Sequence, residues 1–446
     1  MKRIRIPKKP TYIKLAQDRD VITLFEAIEQ EFPTCFIFES LGEGSREDRF
    51  SVLGFGPEQT VRLKDGLLYV DEKEEQVENP YAALRDLIPQ DSLARNYAGG
   101  LVGYLGFDAV SLFEPTLSIA PHPHFDTFAF GVYTDGIVLD KVTGELFYFY
   151  FTKNRISVVQ KLLGKRVHTK PVQARHKKTS LSKKAHAKAV VRVLEEIRVG
   201  NTFQCEVGIQ EEFEITGSPL SLYKRLRRVN PSPFMYYVKF KEKVIIGASP
   251  ELLFDIKDNE MTTHPLAGTI KRGKTKKEDQ ALARQLLSNP KEIAEHKMLI
   301  DLHRNDMGKV AKFGSVKVRN MLDIKRFSHV QHIASEIVGL KRRGEDMFSC
   351  LASNFPAGTL SGAPKIESIK IIEKVEPTPR GPYGGGIGHF GFNGDCTFAI
   401  PIRTIFVDGN YGFIQAASGI VADSTPEKEY DEVQRKLAAM KEVLKI

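Results

Sequence analysis

The chain has 446 residues, 41% of them hydrophobic and 27% charged, which is typical of a globular protein large enough for one or two cores. No uninterrupted apolar run could span a bilayer, and the basic N-terminus lacks the apolar core of a signal peptide. The four cysteines, Cys35, Cys205, Cys350 and Cys396, show no metal-binding spacing and suit a reducing compartment. We therefore expect no membrane segment and a cytoplasmic location.

The net charge of +9 could indicate a nucleic acid partner. Much of the excess lies near the N-terminus and between residues 161 and 184, and no recognition helix, zinc finger or RNA-binding signature accompanies it. We therefore predict no nucleic acid partner. A positive field would also suit an anionic substrate.

The first 163 residues are predicted to be rich in strands. An amphipathic helix is expected over 21–31, and a buried strand over 35–40 follows it. Further apolar runs typical of strands lie at 50–55, 99–105, 127–133, 136–139 and 146–151. Residues 164–184 are rich in Lys, Arg and His and poor in large apolar residues, which predicts a basic linker.

Several polar residues lie in or after apolar runs of the second part of the chain. A helix ending at Gly200 is followed by a strand that contains Gln204, and a predicted strand over 244–251 ends in Glu251. His332 lies within another apolar run. Taken singly, a glutamate after a proline is usually a turn residue, and such a histidine is more often a core residue than a catalytic one.

Two predicted helices each contain a pair of glutamates three residues apart. Glu292 and Glu295 form one pair, and Glu429 and Glu432 form the other, with Lys436 one turn later. Residues at this spacing lie on one helix face, and two facing pairs would make an oxygen-rich site suited to Mg²⁺. Taken singly, each pair is more often a solvated helix face than a metal site, and Glu432 with Lys436 is more often an ordinary surface ion pair.

Two glycine-rich turns flank one amphipathic helix between residues 354 and 388. Pro364 predicts the start of the helix, because proline at a first helical position loses no hydrogen bond. The turns contain Thr359, Lys365 and Tyr383. One such turn would indicate only a loop, whereas two in succession favour a site for an anionic small molecule, because their backbone N–H groups bind anions.

Together these segments resemble the chorismate-utilising enzymes, a family that includes anthranilate synthase component I and the aminodeoxychorismate, isochorismate and salicylate synthases. The resemblance is strong from about residue 183 onwards and thinner before it. It implies a large α+β fold of two sheets, with helices outside and the site between the sheets. It also divides the chain into a sheet-rich regulatory region over 1–163, a basic linker over 164–184 and a catalytic region over 185–446.

The resemblance implies roles for the polar residues noted above. Glu251 corresponds to the acid that protonates the departing hydroxyl, and His332 to a histidine near that hydroxyl. Thr359 corresponds to a hydrogen-bonding partner of the substrate. Arg403 and Tyr383 suit the enolpyruvyl carboxylate, since the arginine fork matches a carboxylate.

The resemblance also implies a segment whose backbone amides bind a substrate carboxylate. Relatives typically have Gly-Ala-Gly where this chain has Ala417, Ser418 and Gly419, so the Cβ of Ala417 is a departure from the pattern. Lys436 is a further expected substrate-binding residue. By the same resemblance, Mg²⁺ binds to the glutamate pairs. The expected direct ligands are Glu295 and Glu432, and the expected supporting residues are Glu292 and Glu429.

Two positions distinguish the reactions within the family. Relatives that add water have a lysine at the position of Gln204, and aminodeoxychorismate synthases commonly have a nucleophilic lysine at that of Ala267. The resemblance therefore favours direct attack by ammonia, which is the anthranilate synthase reaction. An aminodeoxychorismate synthase component without its lysine, or a catalytically weak ligand-binding regulatory relative, stays an alternative.

The resemblance also implies a regulator and a partner. Tryptophan would inhibit the enzyme at a site formed by two segments, whose residues are Glu39, Ser40, Pro231, Ser232, Phe234 and Met235. The chain shows no glutamine-hydrolysing domain, so ammonia would come from a separate glutamine amidotransferase subunit.

Overall fold

The structure is a computed structural model that describes residues 3–16, 20–41, 49–94, 97–165, 167–327 and 330–446. Two antiparallel sheets of twelve strands each organise this part of the chain. The first sheet contains β1 (Thr11–Leu15), β2 (Thr34–Glu39), β3 (Phe50–Phe55), β9 (Asp135–Asp140), β10 (Glu145–Tyr150), β11 (Gln173–Thr179), β12 (Gln204–Thr216), β13 (Phe234–Phe240), β14 (Lys243–Ser249), β20 (Gly362–Ala363), β23 (Thr404–Asp408) and β24 (Tyr411–Ile420). The second sheet contains β4 (Gln59–Lys64), β5 (Leu67–Val70), β6 (Lys73–Glu75), β7 (Gly100–Leu105), β8 (Phe128–Tyr133), β15 (Leu252–Lys257), β16 (Glu260–Thr263), β17 (Leu266–Lys271), β18 (Lys317–Arg326), β19 (Val330–Leu340), β21 (Gly386–Gly391) and β22 (Cys396–Ala399).

Ten α-helices in the described ranges accompany the sheets: α1 (Val21–Glu31), α2 (Pro80–Leu87), α3 (Ile156–Gly164), α4 (Lys183–Arg198), α5 (Leu220–Val229), α6 (Lys276–Leu287), α7 (Pro290–Gly308), α8 (Met347–Asn354), α9 (Lys365–Val375) and α10 (Pro426–Leu444). Short 3₁₀ helices cover Phe107–Leu112 and Gly358–Leu360. Of the helices that the structure describes, none combines the length and apolar character needed to cross a membrane.

The main hydrophobic core fills the space between the two sheets. The ring of Phe36 on β2 meets that of Tyr133 on β8 edge to face, with centroids 4.8 Å apart. A second core lies on the opposite face of the first sheet, where apolar side chains of α1, α3, α5 and α10 cover it. The expected α+β fold of two sheets with external helices is confirmed.

The prediction that residues 164–184 form a linker is wrong for the part of this segment that is a strand. Gln173–Thr179 form the edge strand β11, which pairs antiparallel with the far end of β12. Arg175 and Lys177 on this strand contact the carboxylate of Glu214 on β12 at 2.7 and 2.8 Å. Charged residues are common on an edge strand, because one side of it stays in water and unpaired edges are protected by charge.

Both sheets combine strands from the two ends of the chain. In the first sheet β2 pairs with β13, and in the second sheet β7 pairs with β21. The segments before residue 163 and after residue 185 therefore fold together. Their division into a regulatory and a catalytic region stays a prediction.

The helices that border the site begin close to their predicted positions. The Asn289 side chain accepts a hydrogen bond from the backbone N–H of Lys291 at the start of α7, and Pro290 is the first helical residue. Helix α10 likewise begins at Pro426. Helix α9 begins at Lys365, so Pro364 is its N-cap and not its first helical residue.

Candidate active site

A cavity of about 570 Å³ lies between the sheets, bordered by β12, β17, β19, β24, α7 and α10. Its lining includes these predicted residues: Gln204, Glu251, Ala267, Glu292, Glu295, His332, Thr359, Tyr383, Arg403, Ala417, Gly419, Glu429, Glu432 and Lys436. Ser418 is fully buried and is not part of the lining. Side chains alternate along a strand, so Ser418 points away from the face that Ala417 and Gly419 share.

Glu251 and Thr359 form a hydrogen-bonded pair in the cavity lining, in which Glu251 is buried and Thr359 is half-buried. The Thr359 hydroxyl donates to Oε1 of Glu251 at 2.9 Å. Burial raises the pKa of Glu251 to about 8, although the hydrogen bond from Thr359 and the charge of Lys436 oppose the increase. The carboxyl group is therefore mostly protonated at neutral pH and can serve as a proton donor.

The turn that holds Thr359 is fixed from two sides. At Gly358 a Cβ atom would lie 2.3 Å from a methyl carbon of Leu302 on α7, so a larger residue there would require the Leu302 side chain to move. On the other side the guanidinium of Arg380 donates to the carbonyl of Leu360 at 2.6 Å.

Arg380 itself is held by a buried ion pair. It contacts the carboxylate of Glu376 at 2.6 and 2.8 Å, and that carboxylate also accepts a hydrogen bond from Gly208 N–H on β12 at 2.7 Å. The pair thereby connects the Thr359 turn to the first sheet. Sequence analysis did not identify Arg380 or Glu376, because an arginine four residues after a glutamate is common on surface helices.

His332 is neutral in this environment. Its Nδ1 lies 3.0 Å from the carbonyl oxygen of Gly268, which can only accept, so Nδ1 holds the hydrogen and Nε2 is free of one. Burial, together with the nearby charges of Arg403 and Lys436, lowers the pKa of His332 to about 4, although the hydrogen bond to Gly268 opposes the decrease. At neutral pH the imidazole therefore accepts hydrogen bonds through Nε2, and Glu251 is the better proton donor of the two.

The cationic side of the cavity involves Arg403 and Lys436. Arg403 lies in the left-handed region, with φ of 53°, and donates to the backbone carbonyl of Lys436. The ammonium group of Lys436 contacts the carbonyl oxygen of Ala417 at 2.8 Å and Glu432 at 2.9 Å. Other cations on the lining that sequence analysis did not single out are Lys271, Lys291 and Arg435. Together these groups make the cavity suitable for an anionic ligand.

The two glutamate pairs lie in the same cavity. Burial raises the pKa of Glu295 to about 7, and the carboxylates of Glu292, Glu429 and Glu432 add to the increase, while Lys291 opposes it. Burial also raises the pKa of Glu292 and Glu429. The pKa of Glu432 is lowered despite its burial, because Lys436 lies against it.

These carboxylates supply the oxygen donors that Mg²⁺ prefers, and their mutual repulsion would be relieved by a cation. Within the described ranges, however, no three His, Cys, Asp or Glu side chains are already arranged around one metal position. Close to Glu292, Gly268 has φ of 64°, and a Cβ there would lie 2.8 Å from Glu292 Oε2. The chemistry of the donor set fits a divalent cation, and the direct ligands stay a prediction.

Glu206 is a lining residue that sequence analysis missed. It follows Gln204 by two positions on β12, so strand alternation places both side chains on one face, and this signal was available from the sequence. Burial raises the pKa of Glu206 to about 7, whereas Lys436 and Arg380 lower it.

The residues expected to bind tryptophan lie together outside this cavity. Glu39 on β2 pairs with Met235 on β13, and the N–H of Leu41 donates to the Ser232 carbonyl at 2.9 Å. The Glu39 carboxylate is buried and accepts hydrogen bonds from the Tyr223 hydroxyl at 2.7 Å and from Arg227 at 3.0 Å. Ser40 and Ser232 are also buried, and Pro231 and Phe234 are half-buried. The two predicted segments are therefore neighbours, and whether they bind tryptophan stays a prediction.

The chain belongs to the family of chorismate binding enzymes, whose profile matches residues 33–442. It is 52% identical over 450 residues to anthranilate synthase component 1 of Leptospira biflexa, covering 99% of this chain and 97% of that protein. Its structure is similar to that of anthranilate synthase component I from Streptococcus pneumoniae TIGR4, with a TM-score of 0.79, 30% identity and coverage of 89% and 93% of the two chains. It also shares the fold of MenF, the menaquinone-specific isochorismate synthase of Escherichia coli, with a TM-score of 0.76 at 17% identity and coverage of 99% and 96%.

Proposed function

We propose that this chain is the large subunit of an anthranilate synthase, which converts chorismate and ammonia to anthranilate and pyruvate. The name of the Leptospira biflexa relative supports this function, since that relative shares half of its residues with the chain over almost its full length. The main structural support is the buried acid Glu251, placed in one cavity with cationic groups that suit a dianionic substrate. Family membership supports chorismate as that substrate.

The described side chains suggest how the reaction proceeds. Ammonia adds to the ring, and Glu251 donates its proton to the departing hydroxyl. The hydrogen bond from Thr359 orients the carboxyl group of Glu251. His332 accepts a hydrogen bond from the substrate through Nε2. Arg403 and Tyr383 bind the enolpyruvyl carboxylate, and elimination of pyruvate then yields the aromatic product.

The choice of ammonia over water or a lysine nucleophile rests on Gln204 and Ala267. Both residues line the cavity, and neither side chain can act as a base on water or as a covalent nucleophile. An amide and a methyl group therefore leave direct attack by ammonia as the simplest route. An aminodeoxychorismate synthase activity would need a nucleophile at the position of Ala267.

Mg²⁺ is the proposed cofactor. When bound, it would neutralise the ring carboxylate of chorismate and polarise it. Glu295 and Glu432 are the proposed direct ligands, and Glu292 and Glu429 are the supporting ones. The backbone from Ala417 to Gly419 would lie beside the same carboxylate.

A partner and a regulator complete the proposal. The designation component 1 in the relatives' names suggests a second component, which we propose to be a glutamine amidotransferase that supplies ammonia. We further propose feedback inhibition by tryptophan at the neighbouring segments of Glu39 and Ser232. A cytoplasmic setting suits the four buried free thiols.

A direct assay tests this function. The purified chain is mixed with chorismate, Mg²⁺ and ammonium chloride, and anthranilate fluorescence and pyruvate are followed together. Equal amounts of anthranilate and pyruvate are expected. Accumulation of 4-amino-4-deoxychorismate without pyruvate would contradict the assignment, and so would an absence of turnover with and without a glutaminase subunit.

A further inference from the structure

Gln204 and Glu206 converge at one point of the cavity wall, above a glycine on the neighbouring strand. Glu206 on β12 pairs directly with Gly419 on β24. A Cβ atom on Gly419 would lie 2.6 Å from Nε2 of Gln204 and 2.9 Å from Oε1 of Glu206. The amide and the carboxylate therefore occupy the space left by the missing side chain, and both belong to the cavity lining.

Both groups are deeply buried, and one of them lacks a partner. Gln204 is 8% exposed and Glu206 is 4% exposed. Among the residues that the structure describes, none donates a hydrogen bond to Oε1 of Gln204. Buried acceptors are normally paired, so an unpaired one on a cavity wall indicates a donor supplied by a ligand.

The ligand must provide hydrogens and tolerate a negative neighbour. The carboxylates of chorismate can only accept hydrogen bonds, and Glu206 would repel them. The glutamates proposed for Mg²⁺ lie on α7 and α10, whereas Gln204 and Glu206 lie on β12. A small cation with N–H groups satisfies both acceptors, and ammonium is such a cation.

We propose that Glu206 and Gln204 form the subsite that binds ammonium, and that the Glu206 carboxylate takes one proton from it. The lone pair of the ammonia formed in this way then attacks the ring. This subsite rests on the proposed function, because ammonia is a substrate only of such a reaction. The Glu206 carboxylate provides a charge-assisted hydrogen bond, and the Gln204 oxygen provides a second acceptor that orients the nitrogen. Glu206 is thus a substrate-binding residue in addition to those that the resemblance to chorismate-utilising enzymes implies.

The test compares ammonium and chorismate kinetics in Glu206→Gln. The substitution keeps the shape of the side chain and removes its charge. The KM for ammonium is expected to rise on the order of 10- to 100-fold, which is the usual effect of losing one charged hydrogen bond. The KM for chorismate and the Mg²⁺ concentration for half-maximal rate should stay as in the wild type.

Two further variants make the result specific. Glu214→Gln changes a carboxylate on the same strand that pairs with Arg175 outside the cavity, and it should leave all three constants unchanged. Glu206→Asp keeps the charge on a shorter side chain and should give an intermediate KM for ammonium. It also provides a second measurement if Glu206→Gln does not fold.

Each other outcome overturns the subsite. An unchanged KM for ammonium in Glu206→Gln would refute it while leaving the proposed function intact, because the wild type would still form anthranilate. A rise only in the KM for chorismate, or only in the Mg²⁺ requirement, would assign Glu206 to chorismate or to the metal. A wild-type chain that forms no anthranilate would refute both proposals.

Discussion

Replacing Glu251 with glutamine removes the proposed proton donor and keeps its shape. General acid catalysis usually contributes about 10²- to 10⁴-fold, so kcat for anthranilate formation should fall by at least about 100-fold. The KM for chorismate should change little, because glutamine is nearly isosteric with glutamate and Thr359 can still hydrogen bond to its amide. In the wild type, kcat/KM should fall as the pH rises through about 8, where Glu251 loses its proton.

The same substitution, which lowers activity, should increase the free energy of unfolding relative to the wild type at high pH. The folded protein retains the Glu251 proton up to about pH 8, whereas an unburied glutamate has a pKa of 4.5. Between these values the folded state holds more protons than the unfolded state, so the free energy of unfolding falls as the pH rises. This pKa difference corresponds to a loss of roughly 5 kcal/mol in the free energy of unfolding above pH 8. A glutamine at this position does not titrate and therefore avoids that loss.

Two assays on the same samples therefore test the reasoning. Anthranilate fluorescence across the pH range measures the activity, and urea unfolding at pH 6 and pH 9 measures the stability. Glu251→Gln should be nearly inactive at both values yet resist urea better than the wild type at pH 9. As a control, Glu74→Gln changes an exposed carboxylate on β6 and should alter neither result. Activity within threefold of the wild type, or equal stability loss at pH 9 in both proteins, would refute a buried, protonated Glu251.

Three further outcomes follow from the described contacts. Glu295→Gln should raise the Mg²⁺ concentration for half-maximal activity at least tenfold, as measured by Mg²⁺ titration, and an unchanged requirement would exclude Glu295 as a ligand. Arg380→Met should lower the free energy of unfolding by about 3–5 kcal/mol in urea, because it leaves the buried Glu376 carboxylate unpaired; a loss below about 1 kcal/mol would contradict this role. Glu39→Ala should raise the tryptophan concentration for half inhibition at least tenfold, and inhibition that equals the wild type would show that tryptophan does not bind there.

The strands and helices could be predicted well where the local pattern is strong. Helix α1 and strands β2, β3 and β7–β10 lie within a residue or so of their predicted limits, because alternation and helical spacing depend only on neighbours in the chain. The edge strand β11 could not be predicted, since its charged residues are stabilised by carboxylates of β12. Whether a polar segment forms a strand there depends on its partner.

The candidate site, too, could be predicted only in part from the sequence. The spacing of residues along the chain was enough to show that Glu292 and Glu295 share one helix face and that Glu429 and Glu432 share another, because helix geometry is local. Folding was needed to bring α7 and α10 to one cavity and to pair Thr359 with Glu251, which is 108 residues away in the chain. The protonation of Glu251 also depends on the folded state, because burial and distant charges, not adjacent residues, set the pKa of a carboxyl group.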